Sequence, residues 1–323
     1  MAGARDEGVV VSDAVPDFPN LTELAVPFFI ATMMLEILIG RLTGGAKYET
    51  RDTAVSLAMG LGSVVAGALF AFIFTGVFFW LWQYRLFTLG FSWWVIALCF
   101  VLDDLRYYVF HRISHRVRWG WASHVNHHTS QHYNLSTALR QTWTDIFTGL
   151  FLLRAPLVLL GFHPVVIALC GGINLVYQYW IHTELIRKMP RWFEWVMNTP
   201  SHHRVHHAIN PKYLDANYAG TFIVWDKLFG SFVPEDPAEP CRYGIVKNLG
   251  TFNVWTVAFH EWWAILKDVA RRDISWRDRW HYLMDVPGWS HDGSRLTADM
   301  LKREHVRLHP ETAGTPGLRG ARP

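Results

Sequence analysis

Eight histidines stand in three groups whose spacing suits a shared ion. His111 and His115 are four apart, His124, His127 and His128 follow closely, and His203, His206 and His207 repeat that second spacing far downstream. On a helix, residues three or four apart share a face, with Cβ atoms roughly 5–6 Å from each other. The first pair can therefore grip one ion, and each triplet can turn three imidazoles toward one point. Structural zinc sites close at four ligands, so eight imidazoles call for two metals. Imidazole accepts zinc, copper, iron and nickel alike, and the donor set alone does not choose among them. The remaining histidines lack this spacing. His163 sits in a Gly-Phe-His-Pro turn, and His260, His281, His291, His305 and His309 are scattered through the last third.

The elements that must position these groups are apolar. Hydrophobic residues make up 51% of the 323, Trp occurs 17 times and charged residues are only 18%, which points to a membrane protein. A formal charge of +3 is too small to argue for a nucleic-acid partner. Cys99, Cys170 and Cys241 lie far apart with no CxxC, which implies neither a disulfide framework nor a thiolate zinc site. The first twenty residues are acidic and contain proline. They lack the basic and apolar regions of a cleavable signal peptide and read as a disordered tail.

Three stretches read as spans: Ala25–Gly40, Ala54–Trp82 and Leu86–Leu102, the last running directly into Asp103 and the first histidine pair. Ile146–Phe162 and Pro164–Ile181 are shorter and read as a helical hairpin that enters the bilayer and returns. Arg154 inside its first arm must face protein, a water-filled cavity or a lipid headgroup, because charge in the membrane is costly. Arg154 and Arg140 are also candidates to hold a phosphate. Arg41, Lys47 and Arg51, the arginines around the first two histidine groups, and Arg187, Lys188 and Arg191 then fall on one side. The positive-inside rule makes that side cytoplasmic. Trp-rich Val254–Leu266 reads as an interfacial helix.

The expected fold is all-α, a polytopic integral membrane helical bundle carrying a cytosolic, histidine-rich domain for two metals. Its parts are a disordered tail (1–22), membrane helices (23–102), the histidine domain (103–232, with the hairpin at 146–181), interfacial and cytosolic helices (233–309) and a second disordered tail (310–323).

HxxxH, HxxHH and a second HxxHH together resemble the fatty acid hydroxylase/sterol desaturase superfamily of membrane oxygenases. The stretches DDLRYYVFHRISH, YNLSTALRQ, IHTE, NTPSHHRVHH, NYAG and WDKLFG are most similar to its branch that oxidises alkylglycerol ether lipids. The resemblance covers roughly residues 100 to 232. It implies two iron ions (Fe2+) held by His111, His115, His124, His127, His128, His203, His206 and His207, with His182 of IHTE as a ninth ligand. It further implies O2 and a membrane lipid as substrates, with electrons from tetrahydrobiopterin or a redox protein. Hydroxylation beside the ether oxygen would give a hemiacetal that falls apart to an aldehyde and a glycerol derivative. The metals would lie at the cytoplasmic face, of the inner membrane in a bacterium or the endoplasmic reticulum in a eukaryote. Two alternatives stand beside this reading: hydroxylation or desaturation of a fatty acyl, sterol or ornithine lipid, and a non-catalytic membrane protein stapled by zinc.

Ligating imidazoles usually pass their second N–H to a carboxylate or carbonyl. Asp104, two turns before His111, is one candidate partner, and Glu184, Asp215 and Asp226 are others. Gln178, four before His182, faces the site. His202, four before His206, and His132, four after His128, are placed to support the ligand shell.

Overall fold

Asn20 opens the first helix by accepting the Glu23 N–H, and Gly44 closes it in the left-handed conformation. This helix, α1 (Leu21–Thr43), and the next, α2 (Thr50–Trp82), are the two among the described residues that are long and apolar enough to cross a membrane. Much of their outer surface is bare apolar side chain, among them Leu35, Leu61, Val64 and Phe72. The computed structural model describes residues 15–321. Most of the amino-terminal tail expected to be disordered therefore lies outside the described residues.

The third apolar stretch departs from expectation. The helix α3 (Trp93–Arg116) starts only after Ser92, and residues 86–91 run as a non-helical strap. Leu86 and Leu89 donate their N–H groups to the carbonyls of Leu159 and Gly161, at 2.7 and 3.1 Å. Gly161 has φ +111°, and a Cβ there would sit 2.2 Å from the Phe87 carbonyl oxygen, so only glycine admits the strap. The apolar half of α3 packs Val95 and Cys99 against Val158, Phe162, Val166 and Cys170. Its polar half carries Asp103, Asp104, His111 and His115.

Val117 is extended, and the chain resumes as α4 (Arg118–His128), packed along α3. Next come α5 (Leu135–Ala138), with a capping box from Asn134 and Thr137, and α6 (Asp145–Thr148), which ends at left-handed Gly149. A 3-10 turn (Leu150–Arg154) leads into α7 (Ala155–Leu160), and Pro164 opens α8 (Pro164–Trp180). The two arms of the expected hairpin are thus present, but the first is broken at Gly149 and both are shorter than α1 and α2. Packing of α8 against α1 and α3 delivers His182 to the same region as α3 and α4.

The remaining helices are α9 (Arg191–Val196), α10 (Pro200–His207), α11 (Val224–Leu228), α12 (Val254–Val269), α13 (Trp276–Met284) and α14 (Ala298–Leu308). No strand forms among the described residues. Two isolated bridges, Met197 with Phe222 and Ala208 with Tyr243, flank α10. Val257 and Ala258 of α12 pack on Val55 and Met59 of α2, while Trp255 and Trp263 stay exposed. Arg118, 3% exposed, ties the carboxy-terminal helices to α4 by ion pairs to Glu261 (2.6 Å) and Asp268 (2.7 Å), and Arg295 closes on the same aspartate. Residues 310–321 were expected to be disordered from their glycine and proline content. They run as a short 3-10 turn at Pro310–Thr312 and further turns, with Leu318 buried.

Candidate metal centre

Nine imidazoles converge in two adjoining groups. His111, His115, His124, His128 and His206 form one, and His127, His182, His203 and His207 the other. Within each, one nitrogen from every ring lies within 4.8 Å of the others, and every ring but that of His124 is buried. The groups touch: His128 stacks on His207 with centroids 4.4 Å apart, and His203 on His206 at 5.0 Å.

The spacing rule predicts three imidazoles per triplet on one point, and the structure corrects it. His124 and His128 enter the first group while His127 enters the second, and His203 and His207 enter the second while His206 enters the first. Helical geometry supplies the reason. At about 100° per residue, the i and i+4 rings are about 40° apart while the i+3 ring lies about 60° to the other side. Each HxxHH box therefore keeps its outer pair together and hands its middle histidine across.

Backbone carbonyls fix the tautomers. The Nδ1 of His111 meets the Tyr218 carbonyl at 2.8 Å, that of His182 the Gln178 carbonyl at 2.7 Å, that of His206 the Ala216 carbonyl at 2.9 Å, and that of His127 the Arg140 carbonyl at 3.2 Å. A carbonyl only accepts, so each of these Nδ1 atoms carries the proton and each Nε2 is a bare lone pair. Yet Nε2 of His182 lies 3.3 Å from Nε2 of His127. Nε2 atoms also pair at 2.9 Å (His111 and His124), 3.0 Å (His203 and His182) and 3.2 Å (His207 and His203). The Nε2 atoms of His115 and His206 have no hydrogen-bond partner among the described residues. Protonation does not relieve this crowding. Burial, and then the neighbouring imidazoles, hold the cluster well below the usual histidine range, His127 at about 4 with desolvation the main cause and His206 at about 3. Facing lone pairs in a buried, uncharged cluster fit electrophilic metal ions set between them.

Loop conformation presents two of those carbonyls. Asp215 and Asn217 adopt positive φ, 53° and 54°, where Asp and Asn are the side chains best tolerated. Asn217 holds the turn by donating to the carbonyls of His202 (2.9 Å) and Val233 (2.8 Å). Asp226, fully buried, accepts the N–H groups of Tyr218 and Ala219, each at 2.8 Å. It thereby supports His111 through the backbone. Burial pushes its carboxyl up to about 6.

None of the four candidate carboxylates bonds an imidazole of the cluster. Asp104 accepts from Thr221 N (2.7 Å), Phe222 N, Trp225 Nε1 and Asn174. Asp215 pairs with Arg116 at 2.8 Å, and Glu184 accepts from the Tyr243 hydroxyl at 3.2 Å. Gln178 acts through its carbonyl, while its side-chain amide binds Asn174. His202 lies outside both groups, edge-on to Phe232, and His132 pairs with Asp52 at 3.1 Å. Arg140 is also committed, to Asp52, Ser56 and Thr129, and Arg154 is drawn toward Asp103 at 3.7 Å. Backbone acceptors carry no side-chain signal; the Asp-Ala-Asn run at 215–217 was the only local hint of them. A further residue that spacing does not reveal is Glu36. Buried in α1, it accepts from Tyr48, from Thr183 next to His182, and from Leu135 N at 2.8 Å.

Residues 96–231 match the family model described as fatty acid hydroxylase. The chain is 36% identical to an alkylglycerol monooxygenase of Danio rerio over 293 residues, 87% of this chain and 63% of that protein. It is 36% identical to that of Xenopus tropicalis over 310 residues, 93% of this chain and 67% of the relative. With that of Homo sapiens it shares 38% over 283 residues, 87% and 62%. The chain thus spans less than two thirds of the length of the fish and human proteins. No solved structure matches.

Proposed function

The chain belongs to the fatty acid hydroxylase family, and from that premise we propose that it is a membrane oxygenase that inserts one oxygen atom of O2 into a lipid C–H bond. The observation that carries this reading is the cage of nine imidazoles, in which His127 and His182 face each other with bare lone pairs. His111, His115, His124, His128 and His206 would hold one iron, and His127, His182, His203 and His207 the other. Bound iron would supply activation of O2 by electrons from an outside donor, a pterin or a redox protein, which side chains alone do not provide.

The chain's own residues set the conditions for that chemistry. Four backbone carbonyls lock imidazole tautomers, so the donor atoms face inward before any ion arrives. Burial keeps the rings uncharged, and metal uptake releases few protons. The α1 and α2 surfaces favour a lipid substrate drawn from the bilayer, with the centre on the cytoplasmic side.

Similarity to the alkylglycerol monooxygenases supports an ether lipid as that substrate. One O2, two electrons and two protons would convert the carbon beside the ether oxygen to a hemiacetal and release water. The hemiacetal then collapses to a fatty aldehyde and a glycerol. Mass spectrometry of lipids from cells expressing the chain tests this. Loss of alkylglycerol with appearance of aldehyde is the expected result, whereas a lipid that gains one oxygen and keeps its chain would replace the ether substrate by an acyl or sterol one.

A further inference from the structure

A cavity of about 520 Å³ opens directly on the two groups of imidazoles, a size within the roughly 300–1,000 Å³ of small-molecule sites. His115, His128 and His206 of the first group and His207 of the second form its floor. It is the place where a bound molecule meets both groups at once. A larger cavity of about 1010 Å³ lies between α1 and the segment after His182, and none of the nine imidazoles lines it. Its bigger volume therefore does not make it the reaction chamber.

The remaining walls are mostly apolar: Trp121, Ile209, Leu214, Leu249, Leu296 and Leu301. The acidic groups on them are already paired, Asp215 with Arg116 at 2.8 Å and Glu261 with Arg118 at 2.6 Å. Lys247, the other charged side chain, is exposed. Along the apolar walls, away from exposed Lys247 and the imidazole floor, a carboxylate or phosphate would lose its water without gaining a partner, whereas methylenes gain from burial. The roof, from residues 244–249 and 287–301, lies wholly outside the segment that matches the family model.

Resting on the reading of the chain as a lipid oxygenase, we propose that this cavity receives the uncharged hydrocarbon chain of the substrate, and that its carboxy-terminal roof decides which chain is accepted. The polar headgroup stays at the mouth. Changes in the roof alter which lipid is oxidised, while those in the histidine boxes abolish oxidation of all of them.

The test uses the metal-loaded full chain in lipid nanodiscs with a long-chain alkylglycerol carrying a mid-chain diazirine. After irradiation, adducts are expected on peptides containing Ile209–Leu214, Gly244–Leu249 and Leu296–Leu301. Leu301→Trp, which adds bulk to the cavity from α14 and replaces no candidate ligand, is expected to cut those adducts about tenfold or more with metal content unchanged. Ala298→Trp serves the same purpose should the first variant fail to fold. Adducts confined to the outer faces of α1 and α2 or to the larger cavity, and indifferent to either tryptophan, overturn the proposal. Roof adducts in a protein that oxidises no lipid support this placement and remove the oxygenase reading instead.

Discussion

His182 and His127 point bare Nε2 lone pairs at each other across 3.3 Å, each with its Nδ1 proton already given to a backbone carbonyl. Two such nitrogens repel unless a cation lies between them, so this contact ties the fold of two distant segments to an ion. His182→Gln is therefore expected to lower bound metal from two per chain toward one, read by elemental analysis of purified protein. His202→Gln, at a ring outside both groups, is expected to keep two. Equal metal content in both variants would remove His182 from the ligand set.

Acid should destabilise the metal-free protein steeply. Imidazoles titrate near 6.5 when unfolded, but burial holds them lower in the fold, His127 at about 4. Between these values the unfolded chain binds protons that the folded one refuses, so stability rises with pH there. The contribution is fully present above about pH 6.5 and is lost as pH falls toward 4. Thermal unfolding of apo protein in detergent from pH 7.5 to 4.5 measures it, and a flat profile would contradict neutral, buried rings.

Asp226 is expected to matter for metal retention although it touches no imidazole. It fixes Tyr218 N and Ala219 N, and the Tyr218 carbonyl orients His111. Asp226→Asn replaces one accepting oxygen by a donor. Outer partners of this kind are worth about 10–100-fold in metal affinity. Metal retention against a chelator is the measurement, with weaker retention in the variant expected.

Much of this site was legible in the sequence, for a physical reason. Spacings of three and four place side chains on one helical face whatever the tertiary fold, so eight imidazoles announced themselves and IHTE added His182. Their division was not legible. Whether His127 joins His124 or crosses to His182 depends on which helix faces it, and that is a tertiary fact. Backbone carbonyl partners were equally hidden, since any residue can supply one. In the membrane part, the charge-free run of α2 was plain, while the strap at 86–91 depended on a distant partner, the backbone at Leu159 and Gly161.

Glu36 joins α1 to the site. Its carboxylate accepts from Tyr48, Thr183 and Leu135 N, and Glu36→Ala would leave two buried donors, Thr183 and Leu135 N, unpaired at about 1–3 kcal/mol each, with half-buried Tyr48 losing its partner as well. A fall in unfolding temperature and loss of metal are expected for Glu36→Ala, with Glu36→Gln milder because it still accepts. Wild-type melting and metal content in the alanine variant would show that α1 does not hold the His182 loop.

The most direct measurement is the metal content of anaerobically purified protein, taken with O2 uptake on adding a reductant. Two irons per chain with reductant-dependent O2 uptake is the predicted result. Two zinc ions and no O2 uptake after careful iron loading, or no more than one metal per chain, would contradict the account.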